Sequence, residues 1–302
     1  MLSRSSTRST ESEPSLFGKL PHALDFVRIN HDYPESIVLD RWLQTSLQRL
    51  TAHGHSWPSE CLRFVLVGPA GQNALVGVIA ASCDRARRRF PVAVYVRTPM
   101  AALDQGAAPL PLASEIFLRD AQELLEHIAE FPSGELGLHL RRLQTPGGSD
   151  IDAAVERLDA VLAERSLDSF ASELFAEAPV PRAIAAFQRI VAARSTARQW
   201  TQACSFDCPV RSLLDVTIWC QLIELSLAQA ASCVWNLEPR APRMLLSAGP
   251  LPDRVPLFWA APRGPHAQLS KLGKLAAHGG EPVARGDERL AELFDRLIHP
   301  RR

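Results

Sequence analysis

The sequence predicts an α/β fold of the α+β kind, a layered sandwich of one mostly antiparallel sheet with helices packed on its faces. Three observations predict it. Short apolar runs punctuated by Gly and Pro cluster between residues 62 and 96 and return between 233 and 247. The segments between and after them carry apolar residues at helical spacing. The 302-residue chain is 46% hydrophobic and 22% charged, which is enough apolar material for a layered core.

Taken in order, residues 1–14 are mainly Ser, Thr, Arg and Glu with almost nothing to bury, and read as a disordered arm. Phe17 opens the ordered part, an extended stretch with a turn marked by Gly18 and Pro21. A helix begins near Pro34 with Asp32 as its cap, burying Ile37, Trp42, Leu43, Leu47 and Leu50. Residues 51–58 form a polar loop. Leu62–Val67 and 74–81 are apolar runs separated by a Gly- and Asn-containing turn, the pattern of an antiparallel hairpin, and 92–96 is a third strand.

Residues 106–112 are a Pro-rich connection, and helical spacing returns over 114–131 through Ile116, Leu124, Leu125 and Ile128. Asp150 caps a helix whose buried face carries Ile151, Val155, Leu158 and Leu162. Further helices are expected at 166–177 and 181–194. Ser212 and Asp215 have capping-box spacing, with Asp in the acidic role, at the head of a long apolar helix reaching about residue 229. Residues 233–237 and 244–247 read as strands, and 287–298 as a final amphipathic helix. The late strand pair must join the earlier three, because two strands alone leave unpaired edges. Pro146-Gly147-Gly148-Ser149 is the strongest internal break and reads as a loop inside one domain over 15–262, whose middle, about 112–230, is helical. Residues 263–302 form a C-terminal extension.

Composition bears on function by exclusion. Net charge is zero, so the broad cationic footprint of a nucleic-acid binder is missing. No run of about 18 apolar residues is present, so no membrane insertion is expected. Six cysteines include the pair Cys204 and Cys208 but no second metal-ligand pair, so no metal site or other cofactor is expected. The N-terminus has arginines without the apolar stretch of a secretory leader, and the cysteines read as reduced in a cytoplasmic protein.

Two motifs carry the candidate site. The first is Phe17-Gly18-Lys19-Leu20-Pro21 followed by Asp25-Phe26-Val27-Arg28; the second is Ser82-Cys83-Asp84-Arg85 closing with Arg89-Phe90-Pro91. Gly18-Lys19 lacks the full phosphate-loop frame, so Gly18 reads as a backbone device and Lys19 as solvated or paired with a carboxylate. Asp25 and Asp84 are too few for a metal set and read as turn caps or partners of Arg28, Arg85 or Arg89. The arginine run 85–89 is either a docking lip for a carboxylate or phosphate, or a solvated connection with Arg89 tied to Asp84 or Asp25. Trp42 and Trp235 read as core aromatics, Trp42 with the alternative of anchoring a partner. His53 and His55 read as solvent-exposed. No nucleophile elbow occurs, and Cys83 reads as a small apolar residue.

In this order and spacing the two motifs, with Asp40-Arg41-Trp42-Leu43 between them, resemble the TagF/ImpM family of type VI secretion-associated proteins. The resemblance is specific over about 16–97 and weaker over 210–255, where Val234-Trp235 and residues 244–249 look like the family's closing strands. Leu24 stands where the family carries Gly. If that glycine has positive φ, leucine there would be strained by roughly 1–2 kcal/mol, so the turn is taken to differ locally. The resemblance implies a cytoplasmic, non-catalytic accessory factor that acts post-translationally, generally as a repressor, within a threonine-phosphorylation pathway of kinase, phosphatase and FHA-domain scaffold. It implies binding of that scaffold or another apparatus component through Gly18, Lys19, Leu20, Pro21, Asp25, Phe26, Arg28, Trp42, Asp84, Arg85, Arg89, Phe90 and Pro91. The alternatives are an enzyme acting on a phosphorylated protein, with Asp25, Asp84 and the arginines as its site, and a structural subunit of the apparatus.

Overall fold

Strong local signals and sheet pairing build the fold together. The structure, a computed structural model, describes residues 13–100, 103, 106–132, 134–174, 204–227, 229–238, 242–249, 251, 252, 255, 259 and 289–292. Among them, eight strands form one sheet: β1 (Ser15–Lys19), β2 (Phe26–Ile29), β3 (Leu62–Val67), β4 (Asn73–Ala80), β5 (Val92–Pro99), β6 (Cys204–Cys208), β7 (Ala231–Asn236) and β8 (Arg243–Ala248). Their spatial order is β2-β1-β5-β4-β3-β7-β8-β6. Every neighbouring pair is antiparallel. As expected, the late strands join the early ones, through β7 on β3. The two edge strands, β2 and β6, are short, which limits exposed pairing groups.

Period-2 alternation sends side chains to two cores. On one face lie Phe17, Leu62, Phe64, Leu66, Leu75, Ile79, Ala93 and Tyr95, covered by α1 (Pro34–Ala52) through Leu39, Trp42, Leu43 and Leu50, all buried. On the other lie Val65, Val67, Val76, Val78, Val94 and Val96, covered by α2 (Leu110–Ala113) and α3 (Glu115–Glu126). Beyond a 3-10 turn at Ile128–Glu130 follow α4 (Leu136–Arg141), α5 (Gly148–Glu164), α6 (Leu167–Leu174) and α7 (Leu213–Leu227). Each fully buried Leu, Val or Phe in these cores contributes about 1.5–3 kcal/mol before entropy is counted.

Helix α7 is apolar nearly all round and buried accordingly. Its capping box forms as predicted: the Asp215 backbone N–H donates to Ser212 Oγ at 3.3 Å, and the Ser212 N–H donates to Asp215 Oδ2 at 2.9 Å. Its buried Glu224 accepts the backbone N–H groups of Ala107, Ala108 and Ala231, at 3.0, 3.2 and 2.7 Å. The carboxylate thus ties the connection before α2 to the first residue of β7. Burial pushes the Glu224 carboxyl up to about 7, against the pull of those three donors.

Several local expectations are corrected. Asp32 does not cap α1; Tyr33 holds the N-cap position without a side-chain bond, and Pro34 opens the helix with its φ already fixed. Ile37 and Ile116 are exposed, because Ser36 and Phe117, one residue away in each helix, face the core instead. The helix expected over 114–131 divides into α3 and the 3-10 turn, with α2 preceding it. Asp150 sits inside the first turn of α5, where its Oδ2 accepts the N–H of Gly147, the N-cap residue, at 2.8 Å. Strands β2 and β6 were not anticipated. The helix expected at 166–177 appears as α6, and its residues beyond 174, the helix expected at 181–194, all but 289–292 of the one expected at 287–298, and residues 1–12 of the N-terminal arm lie outside the described residues.

Candidate functional site

The sheet order places β1 beside β5, and that brings the two motifs together. Gly18 pairs with both Val27 and Val92. Its φ is +143°, and a Cβ there would stand 2.3 Å from the Pro91 carbonyl oxygen and 2.5 Å from Val92 Cα. Only glycine allows this approach of the two strands. The glycine before Lys19 therefore serves backbone packing, as the sequence reading held.

One residue on, Lys19 is buried and donates Nζ to Asp84 Oδ2 at 2.9 Å. Asp84 is 1% exposed and also accepts Arg88 Nε at 2.6 Å on the same oxygen, with the Arg88 backbone N–H at 2.9 Å on Oδ1. Burial pushes the Asp84 carboxyl up, but the hydrogen bonds from Lys19 and from the Arg88 backbone and side chain outweigh it and hold it down at about 2. Asp84 is thus an ionised carboxylate with its oxygens taken.

The 84–89 connection is wound tightly around this carboxylate. Arg87 donates its N–H to the Asp84 carbonyl at 2.8 Å, and Asp84 donates its own to the Arg88 carbonyl at 3.1 Å. Arg87 takes a left-handed φ of +63°. The connection is stitched to the first motif's turn by Arg85 N–H to the Ala23 carbonyl at 2.8 Å, Arg88 Nη2 to the Leu24 carbonyl at 2.6 Å, and Ser82 Oγ to the Lys19 carbonyl at 2.6 Å. Aromatic rings close it beneath: Phe26 stacks on Phe17 with centroids 5.6 Å apart, and Phe90 meets Phe26 edge-on at 4.8 Å. Arg28 lies over both Phe17 and Phe26.

The expected partners of the acids are corrected here. Asp84 pairs with Lys19 and Arg88 rather than with Arg28, Arg85 or Arg89, because the turn at Arg87 folds Arg88 back over the carboxylate. Among the described residues Asp25 accepts only the N–H of the next residue, Phe26, at 2.8 Å. Arg89 donates Nη1 to Ser56 Oγ at 2.7 Å instead of to an acid.

The candidate residues divide by exposure. Gly18, Lys19, Leu20, Trp42, Asp84, Phe90 and Pro91 are buried; Phe26 is half-buried; Pro21, Asp25, Arg28, Arg85 and Arg89 face solvent. Trp42 is a core aromatic that donates Nε1 to the Pro252 carbonyl at 3.1 Å and meets Trp57 edge-on. Trp235 is likewise fully buried. Leu24 is 68% exposed and is not among the residues with positive φ, so leucine is unstrained where the resembling family carries glycine. His53 and His55 are exposed as expected. Arg88 escaped the sequence reading although its spacing from Asp84, four residues, was the available signal. Trp57 escaped because a polar loop hides it.

Among the described residues no group of three His, Cys, Asp or Glu side chains is placed to hold a metal ion, and no helix is long and apolar enough to cross a membrane. What the fold and site define is a layered α/β protein whose N-terminal hairpin is clasped to the β4–β5 connection by a buried Lys19–Asp84 pair covered by Arg88. Residues 15–134, which hold that whole arrangement, match the family model of the TagF N-terminal domain, type VI secretion system-associated. Over these residues the chain is similar to that domain, a similarity that associates it with type VI secretion. The matched residues stop short of 210–255. The crystal structure of PA0076 from Pseudomonas aeruginosa PAO1 is similar with a TM-score of 0.47 at 15% identity, over 83% of this chain and 95% of that one. No curated protein matches the chain.

Proposed function

We propose that the protein is a non-catalytic accessory factor of the type VI secretion system, acting post-translationally in the cytoplasm. It represses assembly by binding an FHA-domain scaffold or another apparatus component. The observation that supports this reading is the state of the TagF signature residues. Their one buried acid, Asp84, is held ionised and saturated by Lys19 and Arg88, which suits a scaffold for a surface better than an acid–base or metal-binding group. That clasp turns Arg85, Arg87 and Arg89 outward on a connection fixed at several backbone points, a preformed shape that lowers the ordering cost of docking.

Two measurements test it. The purified full chain is expected to retain the purified FHA-domain scaffold of its own secretion system, and to turn over no phosphorylated scaffold with Mg²⁺ or Mn²⁺ added. Deletion of its gene is expected to raise effector secretion. Failure to retain any apparatus component, together with unchanged secretion in the deletion strain, refutes the reading.

A further inference from the structure

Beside the clasp lies a cleft of about 870 Å³. It opens at the end of the sheet where β4 stops and β5 begins. Three segments distant in sequence wall it: the end of α1 with the loop to Trp57, the 81–90 connection, and the end of α3 with the 3-10 turn. Its apolar lining includes Trp57, Phe90, Leu125 and Ile128, each less than a tenth exposed but bordering the cleft. Among the described residues Trp57 Nε1 has no hydrogen-bond partner. Small exposed residues, Ala81 and Ala129, leave the mouth open.

The rim of the cleft is cationic on the side of the 84–89 connection. On the lip formed by the 84–89 connection, Arg85, Arg87 and Arg89 are exposed, and among the described residues no carboxylate pairs with them. Among the described residues Arg89 reaches only a neutral hydroxyl, Ser56 Oγ. Asp84 cannot offset these charges, because Lys19 and Arg88 already surround it. The far wall is acidic by contrast: Glu126 lines the cleft and accepts Gln122 Nε2 at 2.9 Å, and Glu123 and Glu130 are exposed on the same segment.

We infer that this cleft docks an extended segment of a partner protein, with an apolar anchor seated against Trp57 and Phe90 and acidic residues lying along the arginine lip. The inference rests on the proposed function for the nature of the partner, and on charge complementarity for the chemistry of the segment. An apolar anchor in a concave site supplies the affinity, while the exposed cations select by charge and speed the encounter. Arg89 is the selecting residue nearest the anchor, since it belongs to both the lip and the cleft wall.

The test is a titration of the full chain against a fluorescein-labelled peptide with a Leu-Phe pair next to two glutamates, read by anisotropy. Saturable binding is expected, roughly tenfold weaker when lysines replace the glutamates and roughly tenfold weaker in Arg89→Glu. Binding is expected to vanish in Ala129→Tyr, whose ring fills the mouth from an exposed position. Ala81→Tyr serves in its place if the first variant melts below the wild type. Equal binding of the acidic and basic peptides overturns the inference, as does a correctly folded tyrosine variant that binds like the wild type. Retention of the FHA-domain scaffold separates the two proposals. Loss of retention in the tyrosine variant alone supports the cleft; equal retention by variant and wild type overturns it and leaves the proposed function standing. Retention by neither counts against the proposed function, while the peptide titration still decides the cleft.

Discussion

Replacing Gly18 by Ala tests the idea that the signature glycine is there so that two strands can close on each other. Two costs follow from the geometry. An L residue at φ +143° carries strain of about 1–2 kcal/mol. The added Cβ would also lie 2.3 Å from the Pro91 carbonyl oxygen and 2.5 Å from Val92 Cα, both backbone atoms that cannot rotate away. Moving β1 off β5 to relieve this costs about 1–3 kcal/mol. The sum is about 3 kcal/mol, or roughly 5 °C in Tm for a protein of this size. Gly71→Ala is the matched control, because Gly71 has φ +65° but nothing within 4 Å of an added Cβ. It should lose only the strain, about 1 kcal/mol. Urea midpoints followed by tryptophan fluorescence measure both. If Gly18→Ala is no more destabilising than Gly71→Ala, the close approach does not matter and the glycine needs another explanation.

Asp84→Asn should lower the urea midpoint by leaving the Lys19 ammonium buried without its counter-charge. Because Asp84 is held near 2, its stabilising effect is present above the ordinary carboxylate range and lost as pH falls toward 2, so the wild type should lose an acid-dependent part of its stability that the variant lacks. Glu224 runs the other way. With its carboxyl raised to about 7, stability is greatest below its unfolded value near 4.5 and falls by roughly 3 kcal/mol as pH rises through 7, a slope that Glu224→Gln should flatten in chemical denaturation. Ser212→Ala removes half of the α7 capping box and should cost about 1 kcal/mol by the same measurement. Leu24→Gly should destabilise by about 0.5–1 kcal/mol through unfolded-state entropy, and a stability gain would show that leucine is strained in its turn.

The parts of the fold legible in the sequence were those with local cause. Strands β3, β4 and β5 are apolar runs cut by Gly and Asn turns, and the α7 box needs only Ser212 and Asp215 at their spacing. Strand β2 was illegible because Arg28 interrupts a four-residue run that is strand only through its pairing with β1. Strand β6 has a polar Ser and Asp within five residues and depends on β8 in the same way. In α1, sequence spacing alone admitted Ile37 to the buried face; the sheet below selects Ser36, whose hydroxyl accepts from Tyr95 Oη at 2.9 Å. The motif residues of the site were legible, but their partnerships were not. Lys19 and Asp84 are 65 residues apart, and the nearer arginines were the more obvious counter-charges.

The clasp and the cationic lip have one origin. A carboxylate at the head of a run of four arginines would ordinarily be shared among them in a flexible loop. Here β1 delivers a buried lysine to Asp84, and the left-handed turn at Arg87 adds only Arg88. Among the described residues, the remaining arginines are left without an acid. The glycine that lets β1 approach β5 is what carries the lysine close enough to do this. Gly18, Lys19 and Asp84 therefore act on the outer surface without being part of it, through the charge they leave unneutralised at Arg85, Arg87 and Arg89.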